Sequence, residues 1–277
     1  MNSRSILLVE SIRKSFIRNT ISMSGDSIDE RYHIIDDLDM EVPEGKITAL
    51  IGGNGAGKTT LFNIISGFVS PDSGEILFRK NDKVIPLTNM SPHDRTRLGI
   101  GRMFQDTHIF PNMTVMENML IASSETNGEQ PFVSLVVFCR EDRVEKKRIS
   151  KAREIFETLF GQESPLWLKR NEPATSLSFG QQRLLGLARL FMGDYSLVLL
   201  DEPTAGVSPQ LIPQIIMIIR FFVESQGITV FLIEHNMKVV QELADFCTFM
   251  SHGRITAFGT PEDVIGNPEV RKAYMGV

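Results

Sequence analysis

Three short apolar runs punctuate the chain: Ile47 to Ile51, Leu197 to Leu200 and Thr229 to Ile233. Runs of four or five residues without polar alternation predict strands covered on both faces, and the helix-period segments between them supply the cover. The pattern predicts an α/β protein with a mainly parallel sheet, in which ligands settle at the carboxyl ends of the strands. Each run stops on a residue with chemistry to offer, namely Gly52, Asp201 and Glu234. From Asn112 to Ser176 the pattern changes to helical stretches, Val115 to Ser124 and Arg140 to Phe160, with no convincing strand. That change predicts a helical subdomain over about 105–176, inserted between core segments 1–104 and 177–277. Ile17 to His33 is polar and poor in large apolar residues, and predicts a long exposed loop or partly disordered hairpin.

Composition narrows the possibilities. A hydrophobic fraction of 42% with 23% charged residues suits a globular domain, and a net charge of -5 argues against nucleic acid as a partner. Met1 to Phe16 holds only the short apolar run Ile6 to Val9, too little for a secretory leader. The longest apolar run, Phe132 to Cys139, is about half of what a membrane-spanning helix needs, so any membrane role falls to other chains. The wider stretch Pro131 to Cys139 either packs within the helical subdomain or meets a membrane surface. Arg140 to Arg153 interleaves bases with Glu141, Asp142 and Glu145, the composition of a solvated helix face. Cys139 and Cys247 lie far apart and predict neither a disulfide nor a metal site.

Gly52, Gly53, Asn54, Gly55, Ala56, Gly57, Lys58 and Thr59 fit GxxxxGK[ST], with an apolar strand before and the helical pattern Thr60 to Ser66 after. Such a loop curls so that its backbone N–H groups face inward as an anion nest, and the following helix adds its positive dipole end. Lys58 then reaches the β- and γ-phosphates, and the Thr59 hydroxyl ligates Mg²⁺. The loop alone does not separate a kinase, a GTPase, a helicase and a transporter ATPase. Further along, Leu177, Ser178, Phe179, Gly180 and Gln181 spell LSFGQ ahead of a helical pattern. Ser178 and Gly180 sit where that helix begins, so a hydroxyl, a backbone N–H and a helix N-terminus converge there.

Here the chain resembles the ABC ATPase family, from about Ile6 to Gly276. The resemblance implies a P-loop core with an antiparallel β subdomain and a helical subdomain, working with ATP and Mg²⁺. It implies that Asp201, closing the run Leu197 to Leu200, holds Mg²⁺ and that Glu202 orients the attacking water. His235 matches the family's switch histidine at the γ-phosphate, and Gln105 the residue that senses Mg²⁺ and the γ-phosphate. Phe16 matches the aromatic that stacks on adenine, with Tyr32 as the alternative. The nucleotide-binding set is then Phe16, Gly52, Asn54, Gly55, Ala56, Gly57, Lys58, Thr59 and Thr60, joined by Ser178, Gly180 and Gln181 from a second copy or a paralogue.

Four segments narrow the resemblance: Gly101 to Phe110, Leu177 to Gln182, Ile233 to Val239 and Gly259 to Gly276. They are similar to the ATPase subunits of branched-chain amino-acid and related hydrophobic or urea-type importers. This implies transmembrane permease subunits as partners, an indirect link to a substrate-binding protein, and a place on the inner face of the cell membrane. The competing readings are an export ATPase and a soluble ABC ATPase, but the chain has room for one cassette and shows no sustained heptads. One departure from the family is Ala205, Gly206, Val207, Ser208, where Ser208 followed by Pro209 predicts a helix cap and first turn.

Overall fold

In the computed structural model of the chain, the described residues are 4–21, 27–105, 109–122, 141–161 and 165–275. The apolar stretch Pro131 to Cys139 lies outside them. Contacts separate the chain into two units, one of residues 1–102, 196–203 and 219–277 and one of residues 103–195 and 204–218.

The first unit opens with two long strands, β1 (Ser5–Ile21) and β2 (Ser27–Pro43), paired antiparallel. Next come β3 (Ile47–Ile51), α1 (Lys58–Ile65), β4 (Ser73–Lys80) and β5 (Lys83–Pro86). β2, β1, β4 and β5 form one antiparallel sheet in that order. The polar segment expected as a loop or partly disordered hairpin is therefore largely strand, with pairs running from Phe16↔Tyr32 to Ile21↔Ser27. β4 pairs with β1 only as far as Arg13, so beyond that point the ribbon has two strands. A two-stranded ribbon is held by its backbone ladder and cross-strand pairs, and needs no apolar alternation to form.

The second sheet is built around β3. After α2 (Pro92–Leu98), β6 (Ile100–Met103), α3 (Val115–Leu120), α4 (Glu141–Phe160), α5 (Pro165–Leu168) and α6 (Phe179–Leu190), the chain enters β7 (Leu197–Asp201). α7 (Ile212–Gln226) leads to β8 (Thr229–Ile233), then α8 (Met237–Leu243), β9 (Phe246–Ser251), β10 (Arg254–Gly259), α9 (Pro261–Gly266) and α10 (Pro268–Met275). The strand order is β10-β9-β3-β8-β7-β6, with β3 parallel to both β8 and β9, and β8 parallel to β7. The three apolar runs are thus neighbouring parallel strands, every residue of them buried. Phe62 of α1 packs on Phe231 of β8 with ring centroids 4.9 Å apart, within a core that includes Leu50, Leu61, Leu199 and Ile233. Each such side chain stabilises the fold by about 1.5–3 kcal/mol relative to exposure.

α1 is finished by a residue far along the chain. Arg95, only 2% exposed, donates from Nη1 to the carbonyls of Ile64 (2.6 Å) and Ile65 (2.7 Å). Its Nη2 and Nε donate to Leu87 O (2.6 Å) and Met90 O (3.1 Å). A cation on the last carbonyls of a helix answers both their unmet bonding and the negative end of the dipole. Burial lowers the guanidinium pKa to about 10, which leaves it charged at neutral pH.

In the second unit, α3 starts with a capping box between Thr114 and Glu117, and Phe156 of α4 lies 6.1 Å from the Trp167 ring of α5. Ser208 and Pro209 do not open α7 as expected. They stand in a turn closed by Leu211 N–H donating to Ser208 O (2.9 Å), and the helix starts at Ile212. Pro213, just inside that start, suits the first helical turn, where its missing N–H has no carbonyl to serve. Among the described residues no helix is long and apolar enough to cross a membrane.

Candidate active site

β3 runs into the glycine-rich loop and α1 begins at Lys58. The helix is capped by Gly57 at φ 106°, ψ 3°, with no side-chain hydrogen bond, so its first N–H groups stay open to a ligand. A side chain at Gly57 is refused twice: the φ is left-handed, and a Cβ would lie 2.8 Å from Met250 Cε and 2.9 Å from Ile34 O. At Gly52 the backbone of β9 decides, since a Cβ would fall 2.2 Å from Met250 O. The Lys58 ammonium, 6% exposed as a residue, lies along the loop, donating to Gly52 O (2.7 Å) and Gly53 O (2.9 Å). Burial lowers its pKa, and the nearby Glu202 and Asp201 push it back up.

The acids stand at the end of the adjacent parallel pair. Asp201, the last residue of β7, is 6% exposed, and Glu202 follows with φ 48°, a left-handed backbone that an L side chain adopts only when its surroundings impose it. Glu202 N–H donates to Ile233 O of β8 (3.0 Å), which pins the turn. The His235 Nε2 then lies 2.9 Å from Glu202 Oε1, a donor on an acceptor-only carboxylate. Arg102 of β6 was not anticipated as a site residue, and its side chain is only 6% exposed. Its Nη1 donates to Asn63 Oδ1 (2.8 Å) and Ser66 Oγ (2.6 Å) of the α1 region, and its Nη2 lies 3.4 Å from Asp201 Oδ2. The available signal was a charged residue inside the otherwise uncharged stretch Ile100 to Gln105.

Asn54, Gly55, Ala56, Gly57, Lys58, Thr59, Thr60, Glu202 and His235 line one cavity of about 230 Å³, together with Ile34. Ile34 was not anticipated, because an apolar residue in a strand carries no sign of a ligand. Gly52 takes part through its carbonyl on Lys58. Phe16 is not among the lining residues; it stands on the hairpin 6.2 Å from the Tyr32 ring, with the Lys14 ammonium 5.3 Å from its centroid. Asp72 holds the chain just before it, accepting from Lys14 Nζ (3.0 Å), Ser15 N (2.7 Å) and Ser15 Oγ (2.6 Å). The Ser15 and Lys14 hydrogen bonds hold the Asp72 pKa at about 2. A cleft of about 410 Å³ in the same unit, lined by Leu8, Val9, Glu10, Asp39, Met40, Glu41, Thr248, Ile255 and Phe258, contains three acids and no base. It is larger, but it is the smaller cavity, with its lysine and open N–H groups, that suits an anion.

The donor set also fits a hard divalent cation beside such an anion. Among the described residues no group of three or more His, Cys, Asp or Glu could hold a metal unaided. Mg²⁺ needs no such cage, since it keeps several waters and takes one or two protein oxygens plus phosphate oxygens. Thr59 supplies a hydroxyl at the cavity and Asp201 a carboxylate at the end of β7.

The remaining expected residues belong to the second unit. Ser178 caps α6, its Oγ accepting from Gln181 N (3.4 Å) while Gln181 Oε1 accepts from Ser178 N (3.0 Å), a reciprocal capping box. Gly180 is buried, and a Cβ there would fall 2.4 Å from Leu211 Cδ1. The Gln105 carbonyl accepts a short hydrogen bond from the fully buried Arg183 of α6.

Residues 35–205, more than half of the chain, match the ABC transporter family model, and residues 257–277 match that of the branched-chain amino acid ATP-binding cassette transporter. The chain is 39% identical over 240 residues to a probable branched-chain amino acid transport ATP-binding protein LivG of Archaeoglobus fulgidus, covering 86% of this chain and 88% of that protein. It is 33% identical over 242 residues to the high-affinity branched-chain amino acid transport ATP-binding protein LivG of Salmonella typhimurium, covering 87% and 91%. The crystal structure of a nucleotide-free ATP-binding cassette from an ABC transporter superposes with a TM-score of 0.76 at 32% identity, covering 99% of this chain and all of that one. A phosphate-type loop, a strand-end glutamate and a histidine on one cavity thus meet an independent match in sequence and in fold, and the chain belongs to the ABC transporter family as one of its ATP-hydrolysing cassettes.

Proposed function

We propose that this chain powers uptake of branched-chain or closely related amino acids, binding ATP in the cavity at the carboxyl ends of β3, β7 and β8. The observation that carries the reading is the convergence there of Lys58, the uncapped start of α1 and the Glu202–His235 pair at 2.9 Å. In this reading the loop from Gly52 to Thr60 wraps the phosphates, and Lys58 gives up its two carbonyl partners to the β- and γ-phosphates. Thr59 and Asp201 hold Mg²⁺, which spreads the charge of the leaving phosphates. Glu202 orients and polarises the attacking water, and His235, whose Nε2 rests 2.9 Å from that carboxylate, turns its N–H toward the γ-phosphate when nucleotide is bound. Gln105 senses the γ-phosphate, and Phe16 or Tyr32 stacks on adenine.

Ser178, Gly180 and Gln181 complete the site of a second copy or of a paralogous cassette. Closing on the γ-phosphate and releasing after hydrolysis is a population shift of a two-state interface, and it drives permease subunits that span the membrane. The protein then sits on the cytoplasmic face of the membrane, and a substrate-binding protein presents the cargo. Support for the cargo comes from the match at residues 257–277 and from the relatives named above.

The test is Glu202→Gln, which keeps the side chain's shape but removes its basicity. Turnover is expected to fall by about 10²- to 10⁴-fold while ATP binding persists, and the variant should accumulate as an ATP-dependent dimer in size-exclusion chromatography. Parental turnover would remove Glu202 from the chemistry, and a strictly monomeric ATP-bound variant would remove the shared site.

A further inference from the structure

Between β8 and α8 lie three residues, Glu234, His235 and Asn236. The roles assigned above use His235 alone, yet Glu234 is an acid only 3% exposed. Its Oε2 accepts from the backbone N–H of His235 (2.9 Å) and of Asn236 (3.1 Å). Its own N–H points to Leu50 O of β3 at 3.4 Å, next to the phosphate-type loop. On the far side, the Asn236 side chain caps α8 by accepting from Lys238 N (3.1 Å). The chain carrying the imidazole is therefore fixed from both ends, and the fixing group before it is a buried carboxylate.

A buried carboxylate is costly unless it is well hydrogen-bonded, and bonds from N–H groups to a charged acceptor are short and strong. Here those bonds go to the peptide groups on either side of the His235 α-carbon, and so restrict the backbone torsions that set where the imidazole points. From that backbone the imidazole Nε2 lies 2.9 Å from Glu202 Oε1. We propose that Glu234 is a positioning residue for hydrolysis, locking the turn that aims His235 at Glu202 and the γ-phosphate. The inference rests on the proposed roles of Glu202 and His235. It goes beyond them by assigning the acid that makes the aim permanent rather than occasional.

The reach of the side chain matters as much as its charge. Glu234→Gln keeps an oxygen at the same distance from both N–H groups, Glu234→Asp keeps the charge but withdraws the acceptor by one methylene, and Glu234→Ala removes it. For the full-length chain, steady-state ATP hydrolysis and equilibrium binding of a fluorescent ATP analogue are measured in each variant, alone and combined with His235→Ala. A misaimed catalytic group costs about tenfold to hundredfold in rate. The expected result is that loss in kcat for Glu234→Ala and Glu234→Asp, with KM and analogue affinity within about twofold of the parent, and substantial rescue by Glu234→Gln. In the His235→Ala background, removing Glu234 should cost almost nothing further, because there is no imidazole left to aim.

Equal turnover in the parent, Glu234→Asp and Glu234→Gln would overturn the proposal. So would a Glu234→Asp defect that is undiminished without the imidazole, since that marks a general structural role. If His235→Ala itself turns over ATP at the parental rate, it is the underlying assignment of the histidine that fails, whatever Glu234 does.

Discussion

Two helices in this chain begin where the family reading puts a phosphate, and they begin differently. α1 is preceded by a left-handed glycine with no capping side chain, whereas α6 carries a serine and a glutamine that close its first turn on each other. A glycine in place of a good cap costs a helix only a few tenths of a kcal/mol, so α1 keeps its N–H groups open cheaply. Its stability comes instead from Leu61, Phe62, Ile64 and Ile65 in the core. α6 satisfies its own start, through a Ser178 Oγ to Gln181 N contact that at 3.4 Å is long and easily shared. One end leaves its N–H groups without a capping side chain, and the other closes its first turn on itself.

That contrast predicts a ranking. Lys58→Ala removes the cation at the open end and should weaken nucleotide binding by about a hundredfold or more, roughly 3 kcal/mol, in equilibrium titration. Undiminished binding would mean that α1 is not the receptor. Gly57→Ala attacks the same end through the backbone. The left-handed φ and the contacts with Met250 and Ile34 should cost about 2–4 kcal/mol of stability in denaturant unfolding, and nucleotide affinity should fall with it. Parental stability would show that the loop relaxes around the methyl group. Ser178→Ala should have the smallest effect on the fold, about 1 kcal/mol from the lost cap, with ATP binding by the isolated chain unmoved and turnover reduced. A loss of ATP binding by the isolated chain in that variant would collapse the distinction between the two ends.

The parts of this arrangement that could be read from sequence are those where a few consecutive residues set the backbone. Gly52 to Thr59, Asp201 with Glu202, and Ser178 with Gln181 each fix a strand exit or a helix start locally, and the three neighbouring buried strands announced themselves as uninterrupted apolar runs. The hairpin beyond Phe16 was not legible as strand. Beyond Phe16 the register with β2 runs without a shift to Ile21↔Ser27, and a ribbon of two strands is held by its ladder and cross-strand pairs, so its sequence need carry no apolar alternation. Arg102 and Arg95 left little trace for a different reason, because the groups they bind around α1 lie 30 or more residues earlier and an arginine withdrawn from solvent looks like a solvated one until those acceptors are known. Glu234 was legible only as the acid on which an apolar run stops, with no role of its own. Its two hydrogen bonds run to its nearest neighbours, a local device that leaves no periodic trace.

Arg95 also bears on the order in which the molecule is assembled. The carbonyls it closes belong to residues 30 and 31 positions earlier, so the phosphate-loop helix leaves the ribosome before its last turn has this cation. Until α2 follows, Ile64 O has the nearby Gly67 N–H but neither it nor Ile65 O has the guanidinium, so a nascent chain halted short of Arg95 carries the glycine loop on a helix less firmly closed at its far end. Completion of the glycine-rich segment is thereby tied to synthesis of a residue that does not line its cavity.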